Sequence, residues 1–332
     1  MSESAEANAL DALIAASGEA LAAGDPARAR VDAEAAVERA EAAGDAVATA
    51  AALLALATAQ RAGHDLDGAI ATGRRALATR AAALGESHVD TARARGDLSA
   101  ALRDAGELDE ALALATRAAA ELAAGLGDDP IVATAYGNLS AVHRARGEHD
   151  AAIDAGTRAL ELRRSLLGEH RDTAIALTNL GTIHAAAKDF AAALACEREA
   201  LELRRRLLGD AHPETLASLA ALATVQRNAG NLSSALKYQS EALEAQSRAL
   251  GPVARESVES RRMIAFMLVR MGRRVEAQRA VEETLALLPE GHPRAADFRE
   301  LRRQIVAAVP GGKQRGKGKG RKPKAGAKPR RR

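Results

Sequence analysis

The stretches LRRSLLGEHRDTA, ending at Ala174, and LRRRLLGDAHPET, ending at Thr215, each place a basic pair, a glycine, an acid and a histidine close together. Such a set could form half of a metal site, cradle a phosphate, or serve architecture alone. The chain holds eight histidines and a single cysteine, Cys196. Zinc needs its ligand atoms at about 2.0–2.1 Å, so metal chemistry requires several of these side chains at one point. Cys196 lies among alanines with Arg198 as its one basic neighbour within a turn, which favours an inert buried thiol over a nucleophile. No GxxxxGKS/T phosphate loop is present, and the glycines of RGKGKGRK follow no strand and open no helix. Neither enzymatic activity, nor a cofactor, nor a metal is expected.

The elements that must position these residues follow from a repeat. The glycine of the quoted stretches recurs at Gly44, Gly85, Gly127, Gly168, Gly209 and Gly251, always 41 or 42 residues apart. Between them runs a second series in AG-type turns, at Gly24, Gly63, Gly106, Gly147, Gly230 and Gly272; Lys188 takes that place once, and His64 reads as a one-residue insertion. Two turn glycines per period predict two helices per period, because glycine closes helices by adopting positive φ. Alanine pairs seven residues apart follow each AG turn, at Ala29/Ala36, Ala69/Ala76, Ala111/Ala118, Ala152/Ala159, Ala193/Ala200 and Ala235/Ala242, with Ala277/Thr284 as the last copy. Residues at that spacing share a helix face, and small ones let a neighbouring helix come close. His170 and His212 fall in equivalent linkers, so stacking holds them roughly 10 Å apart, too far to share a metal ion. The quoted stretches therefore predict architecture. Leucines ending each second helix are expected to be buried against the next unit. Glycine stops that helix, and Asp or Glu with Thr caps the next.

Each first helix carries an apolar residue followed by a small one: Leu98-Ser99, Leu139-Ser140, Leu180-Gly181, Leu222-Ala223 and Ile264-Ala265. LTNLGTIHAAAKDFAAALACEREAL, from Leu177 to Leu201, resembles a tetratricopeptide repeat (TPR), with Leu177, Leu180, Gly181, His184, Ala193 and Ala200 on signature positions. The long period and the linking LLGDAHPET are similar to the extended repeats of kinesin light chains and their bacterial relatives. The resemblance implies an all-α, right-handed superhelical solenoid of seven repeats over residues 10–290. A nine-residue lead precedes it, with a capping helix over 291–309 and a disordered basic tail over 310–332. The first two repeats are degenerate, with Ala16 and Ala55 in place of the leucine. His143 and His184 take a position usually held by a packed tyrosine.

Composition agrees with that class. Hydrophobic residues make up 47% and charged ones 27%, but aromatics only 2%. Alanine and leucine dominate, and both favour helices. The N-terminus carries acids where a signal peptide needs bases. The longest apolar stretch, from Ala46 to Ala59, is shorter than the roughly 20 residues of a membrane span. One cysteine allows no intramolecular disulfide, so a cytoplasmic location is expected. Glu/Arg pairs such as Glu161 with Arg164, or Glu202 with Arg205 and Arg206, read as solvated helix faces. The net charge of +3 hides a division. From Pro310 onward stand Lys313, Arg315, Lys317, Lys319, Arg321, Lys322, Lys324, Lys328, Arg330, Arg331 and Arg332 and no acid, which leaves the rest near −8.

What a TPR array offers is a groove lined by its first helices, which in this family receives extended or helical peptides. Its candidate contacts are Arg103, Asn138, Arg144, Thr178, Asn179, Thr182 and Arg227. Asn138 and Asn179 stand where peptide-binding TPRs use asparagine to bond a ligand backbone; bracing a neighbouring helix is the other use of a carboxamide there. The dicarboxylate clamp of chaperone-tail-binding TPRs lacks its basic residues here. The expected function is a protein-interaction scaffold, with the basic tail tethering nucleic acid, acidic protein or anionic surfaces. The alternative is a nucleic-acid-associated adaptor in which the tail does the main binding.

Overall fold

The structure is a computed structural model that describes residues 3–307. The tail cations from Lys313 to Arg332 lie outside the described residues. The fold is all-α: fifteen helices and no strand among the described residues. In order they are α1 (Glu3–Ala22), α2 (Pro26–Ala43), α3 (Ala46–Ala62), α4 (Leu66–Leu84), α5 (Val89–Ala105), α6 (Leu108–Leu126), α7 (Pro130–Arg146) and α8 (His149–Leu167). There follow α9 (Arg171–Ala186), α10 (Phe190–Leu208), α11 (Pro213–Asn228), α12 (Leu232–Ala249), α13 (Arg255–Arg270), α14 (Arg274–Leu287) and α15 (Ala295–Ala307). Residues up to Tyr238 form one compact unit and those from Gln239 a second.

From α1 to α10 each odd-numbered helix pairs with the even one after it, and α1, α3, α5 and α7 also touch one another in sequence. The alanine pairs hold the hairpins together. From Ala29 to Ala277 with Thr284, every member is between 0 and 2% exposed. The small residue after the apolar one has a matching task. Ser17 Oγ donates to the carbonyl of Ala29 at 2.9 Å and Ser140 Oγ to that of Ala152 at 2.6 Å. A Cβ on Gly181 would meet the Ala193 carbonyl at 3.3 Å. The first helices α1, α7 and α9 thus lie against the backbone of their partners, which only a small residue permits.

Four expectations are corrected in detail. Gly63 has φ −81°, and His64 takes the left-handed conformation at φ 62°, as Lys188 does at 64°. His64 is therefore the turn residue itself, 40 residues after Gly24 and 42 before Gly106, and not an insertion. Counting back from it, the place of Leu98 belongs to Leu56, not Ala55, and Leu56 packs beside Leu10, Val37 and Leu53.

The leucine pair before Gly168 and before Gly209 is only partly covered, with Leu166 38% and Leu207 41% exposed. The buried leucines lie further back, at Leu160, Leu162, Leu201 and Leu203, where the helix still faces its neighbours. The last turn has run past that contact.

The linker histidines are helix caps. Nδ1 of His88, His170 and His212 accepts from the backbone N–H of Asp90, Asp172 and Glu214 at 3.1, 3.2 and 3.2 Å. A neutral imidazole offers the lone pair that an aspartate cap would, so the acid two residues on is free to face the helix dipole. The threonine turns backward: Thr91 Oγ1 donates to the Gly85 carbonyl at 2.8 Å and Thr173 Oγ1 to that of Gly168 at 2.9 Å. Several surface ions also reach between hairpins rather than along one helix. Arg164 pairs with Glu199 at 2.6 Å and Arg206 with Glu169 at 3.0 Å.

The cap assignment is checked by urea unfolding. His170→Ala is expected to cost about 1 kcal/mol, whereas His170→Asn, which keeps an acceptor, is expected to cost only a few tenths.

Candidate functional site

Two adjoining clefts open on the faces of α3, α5 and α7, with volumes of about 240 and 120 Å³. Asp97, Thr134 and Asn138 line both. Leu54, Thr58, Arg61 and Arg103 are among the other residues of the larger, and Arg93 and Ile131 among those of the smaller. Helical spacing explains the set. Asp97 on α5, Asn138 on α7 and Asn179 on α9 follow one another at 41 residues and so share one register. Arg61, Arg103, Arg144 and Arg227 share another, toward the C-terminal end of the first helices.

Asp97 was not singled out by sequence, although it stands where the next two repeats carry asparagine. It remains open to solvent and makes no hydrogen bond or ion pair with a described residue. Desolvation by the crowding helices pushes its carboxyl above the ordinary range, against the pull of Arg93, Arg80 and Arg61.

The predicted contacts fare differently. Asn179 is exposed and without a hydrogen bond among the described residues. Asn138 is half-buried and reaches the Gly96 carbonyl with Nδ2 at 3.4 Å, at the long limit of a hydrogen bond, while still lining both clefts. Thr178 and Thr182 serve the scaffold: Thr178 Oγ1 accepts from Arg204 at 2.9 Å, and Thr182 Oγ1 donates to the Thr178 carbonyl at 2.9 Å. Arg103 is paired with Asp104 at 2.6 Å. Arg144 is exposed without such a partner, and Arg227 sits half-buried in the last turn of α11.

Sequence reading also missed the charges beneath this face. Arg95 is fully buried on α5, held by Glu86 and Glu121. Glu197 on α10 is 2% exposed, and burial pushes its carboxyl up to about 7 against the pull of Arg204. Its Oε2 has no hydrogen-bond partner. The same register in the second unit holds Gln239, which donates to Ser260 Oγ at 2.8 Å; Ser260 donates in turn to Gln246 at 2.7 Å. A neutral amide fits that buried position without the cost of a charge.

His143 Nδ1 lies 2.6 Å from Glu148 Oε2, tying the end of α7 to the start of α8. Arg146 and His143 together hold the Glu148 carboxyl below its ordinary range. Burial and the nearby Glu199 and Glu197 push the Cys196 thiol up, which suppresses the nucleophilic thiolate. No group of three or more His, Cys, Asp or Glu side chains among the described residues is arranged to hold a metal ion. No described helix is long and apolar enough to cross a membrane.

Comparison with known proteins agrees with this geometry. The tetratricopeptide-repeat family model matches residues 117–165, 131–206 and 172–247, and a second model of the same description matches 91–130. Residues 91–247 are tetratricopeptide repeats. The TPR fold is shared with several solved structures. A kinesin-light-chain-like protein of Podosopora anserina with nearly identical TPR-like repeats is 21% identical, with a TM-score of 0.55 over 60% of this chain and 95% of that one. BtubC of P. vanneervenii is 22% identical, with a TM-score of 0.55 over 74% of this chain and 93% of that one. A signal transduction ATPase with a TPR sensor from Pyrococcus horikoshii is 12% identical; its TM-score is 0.65 over 85% of this chain, which spans 41% of that protein. No curated protein matches the sequence.

The buried Glu197 sets a pH dependence for the TPR array. Its folded pKa of about 7 lies above that of an unfolded glutamate, so its contribution is fully present below about pH 4.5 and is lost as pH rises through 7. Glu197→Gln is expected to flatten this decline and to stabilise the protein at pH 8 by on the order of 2 kcal/mol, measured by urea unfolding across pH.

Proposed function

We propose that the chain is a non-enzymatic scaffold that receives an extended segment of a partner protein along the faces of α3, α5, α7 and α9. The shared register of Asp97, Asn138 and Asn179, the first two lining adjoining clefts and the third exposed on the next first helix, carries this reading. A carboxamide donates and accepts at once, so repeated carboxamides can hold a peptide backbone whatever its side chains. The clefts are open rather than enclosed, which suits a segment of chain better than a small buried substrate. Thr178 and Thr182 are assigned to the scaffold, and Asp97 joins the contact set in their place.

An array of random peptides probed with the full chain tests this. Replacing Asn138 and Asn179 together by alanine is expected to lower retention about tenfold, with melting changed by less than about 1 kcal/mol. A loss of more than about 2 kcal/mol would make the pair structural braces and withdraw the reading.

A second role belongs to the tail. Its eleven lysines and arginines, spaced by glycine, proline and alanine, include no aromatic to stack on a base, which supports capture of polyanions without sequence preference. If about six phosphates of duplex DNA are engaged, log affinity is expected to fall with log salt at a slope near −5. Removing residues 310–332 is expected to abolish that binding, and equal weak binding with and without them would end the role.

A further inference from the structure

Three second-helix arginines share one register and reach into the seam between first helices: Arg80 on α4, Arg163 on α8 and Arg204 on α10. Arg204 is met by hydroxyls and a carboxylate. Its guanidinium donates to Thr178 Oγ1 on α9 and to Ser218 Oγ on α11, and lies 3.6 Å from the Glu214 carboxylate. Arg80 donates to the Asp90 carbonyl at 3.1 Å. Arg163 has the same reach and none of these acceptors. Gly137 stands in the place of Thr178, and Ala176 in that of Ser218.

A Cβ on Gly137 would lie 3.8 and 3.9 Å from the two terminal nitrogens of Arg163, so the guanidinium lies directly beside α7 at that glycine. Arg163 makes no hydrogen bond or ion pair with any described residue. Asp172 attracts it from beyond ion-pair distance, and half-burial has stripped part of its water. A guanidinium with free N–H donors in a partly dry seam is a strong site for a planar, two-oxygen anion. Asn138 follows Gly137 on α7, and Asn179 and the exposed Ile175 are on α9.

We propose that Arg163 is a carboxylate-reading position, which takes an aspartate or glutamate side chain of a peptide lying over the α7–α9 seam. This rests on the peptide-binding reading above and names the chemistry of the partner at one point. The hydroxyls that neutralise Arg204 from within the protein are replaced at Arg163 by the carboxylate of the ligand.

The test uses the full chain on arrays of random C-terminally amidated peptides, in matched sets where each Glu is exchanged for Gln. Amidation removes the terminal carboxylate, so only side-chain acids are read, and the tail is the same in every variant. The wild-type chain is expected to retain a subset of Glu peptides on the order of tenfold better than their Gln partners. Arg163→Gln is expected to bring that ratio close to one, with Arg163→Lys keeping part of it. Gly137→Thr supplies Arg163 with the hydroxyl that Thr178 gives Arg204, its Cβ meeting only ordinary contacts, and is expected to lower the ratio as well. The Asn138/Asn179 double alanine variant is expected to lower all retention while leaving the ratio unchanged. An unchanged Glu/Gln ratio in Arg163→Gln, or in Gly137→Thr where the first variant fails to fold, overturns the inference alone. An array that retains no peptide overturns the groove reading and this inference together.

Discussion

Two helices can approach only as closely as their facing side chains allow, and here that distance is set by alanine. The pairs from Ala29/Ala36 to Ala235/Ala242 are sealed, and Ser17, Ser140 and Gly181 sit against the carbonyls of Ala29, Ala152 and Ala193. A core of this kind gains little from any one side chain, since a methyl buries little area. It gains from repetition of the same close contact, as stacked arrays do. The alanine contacts themselves have almost nothing to lose by truncation. They are vulnerable to growth, because a larger residue at Ala152 or Ala193 must push a backbone away, typically costing 1–3 kcal/mol.

Close packing also explains where charge has been placed. With first helices drawn together, the long side chains of the second helices have only the seams to enter, and Arg80, Arg163 and Arg204 do so. An arginine in such a place is tolerable when hydroxyls and carboxylates meet it, as around Arg204. Glu197 occupies a position held by small or neutral residues at the same register elsewhere, such as Ala115, Gly156 and Gln239. The result is a buried carboxyl whose titration is pushed up to about 7.

The helix pairing, the alanine faces and the Leu-small pairs were legible because they depend on spacing alone, and spacing is what a repeat displays. The left-handed turn at His64 was not, since a neighbouring glycine offered the usual choice and only backbone geometry shows which residue took it. The caps at His88, His170 and His212 were hidden behind acids that cap helices far more often. In the groove, Asn138 and Asn179 stood out as unusual helix residues. Asp97 was overlooked because an acid on a helix reads as surface until its missing partner and crowded walls are known. Arg163 could not be found from sequence at all: its importance lies in what Gly137 and Ala176 fail to offer it.

Lys188 holds a turn that glycine closes in most other repeats, and it lies exposed between α9 and α10. Apart from it, the chain before the basic tail has one lysine, Lys237 on α12, also exposed. Guanidinium groups stay protonated in water and do not behave as amines. Acylating reagents, amine-directed crosslinkers and enzymes that modify lysine therefore find just two side-chain addresses on the helical body. The reactive amines are otherwise gathered in the tail, so covalent modification can change the tail's charge while leaving the arginine-bearing groove chemically untouched.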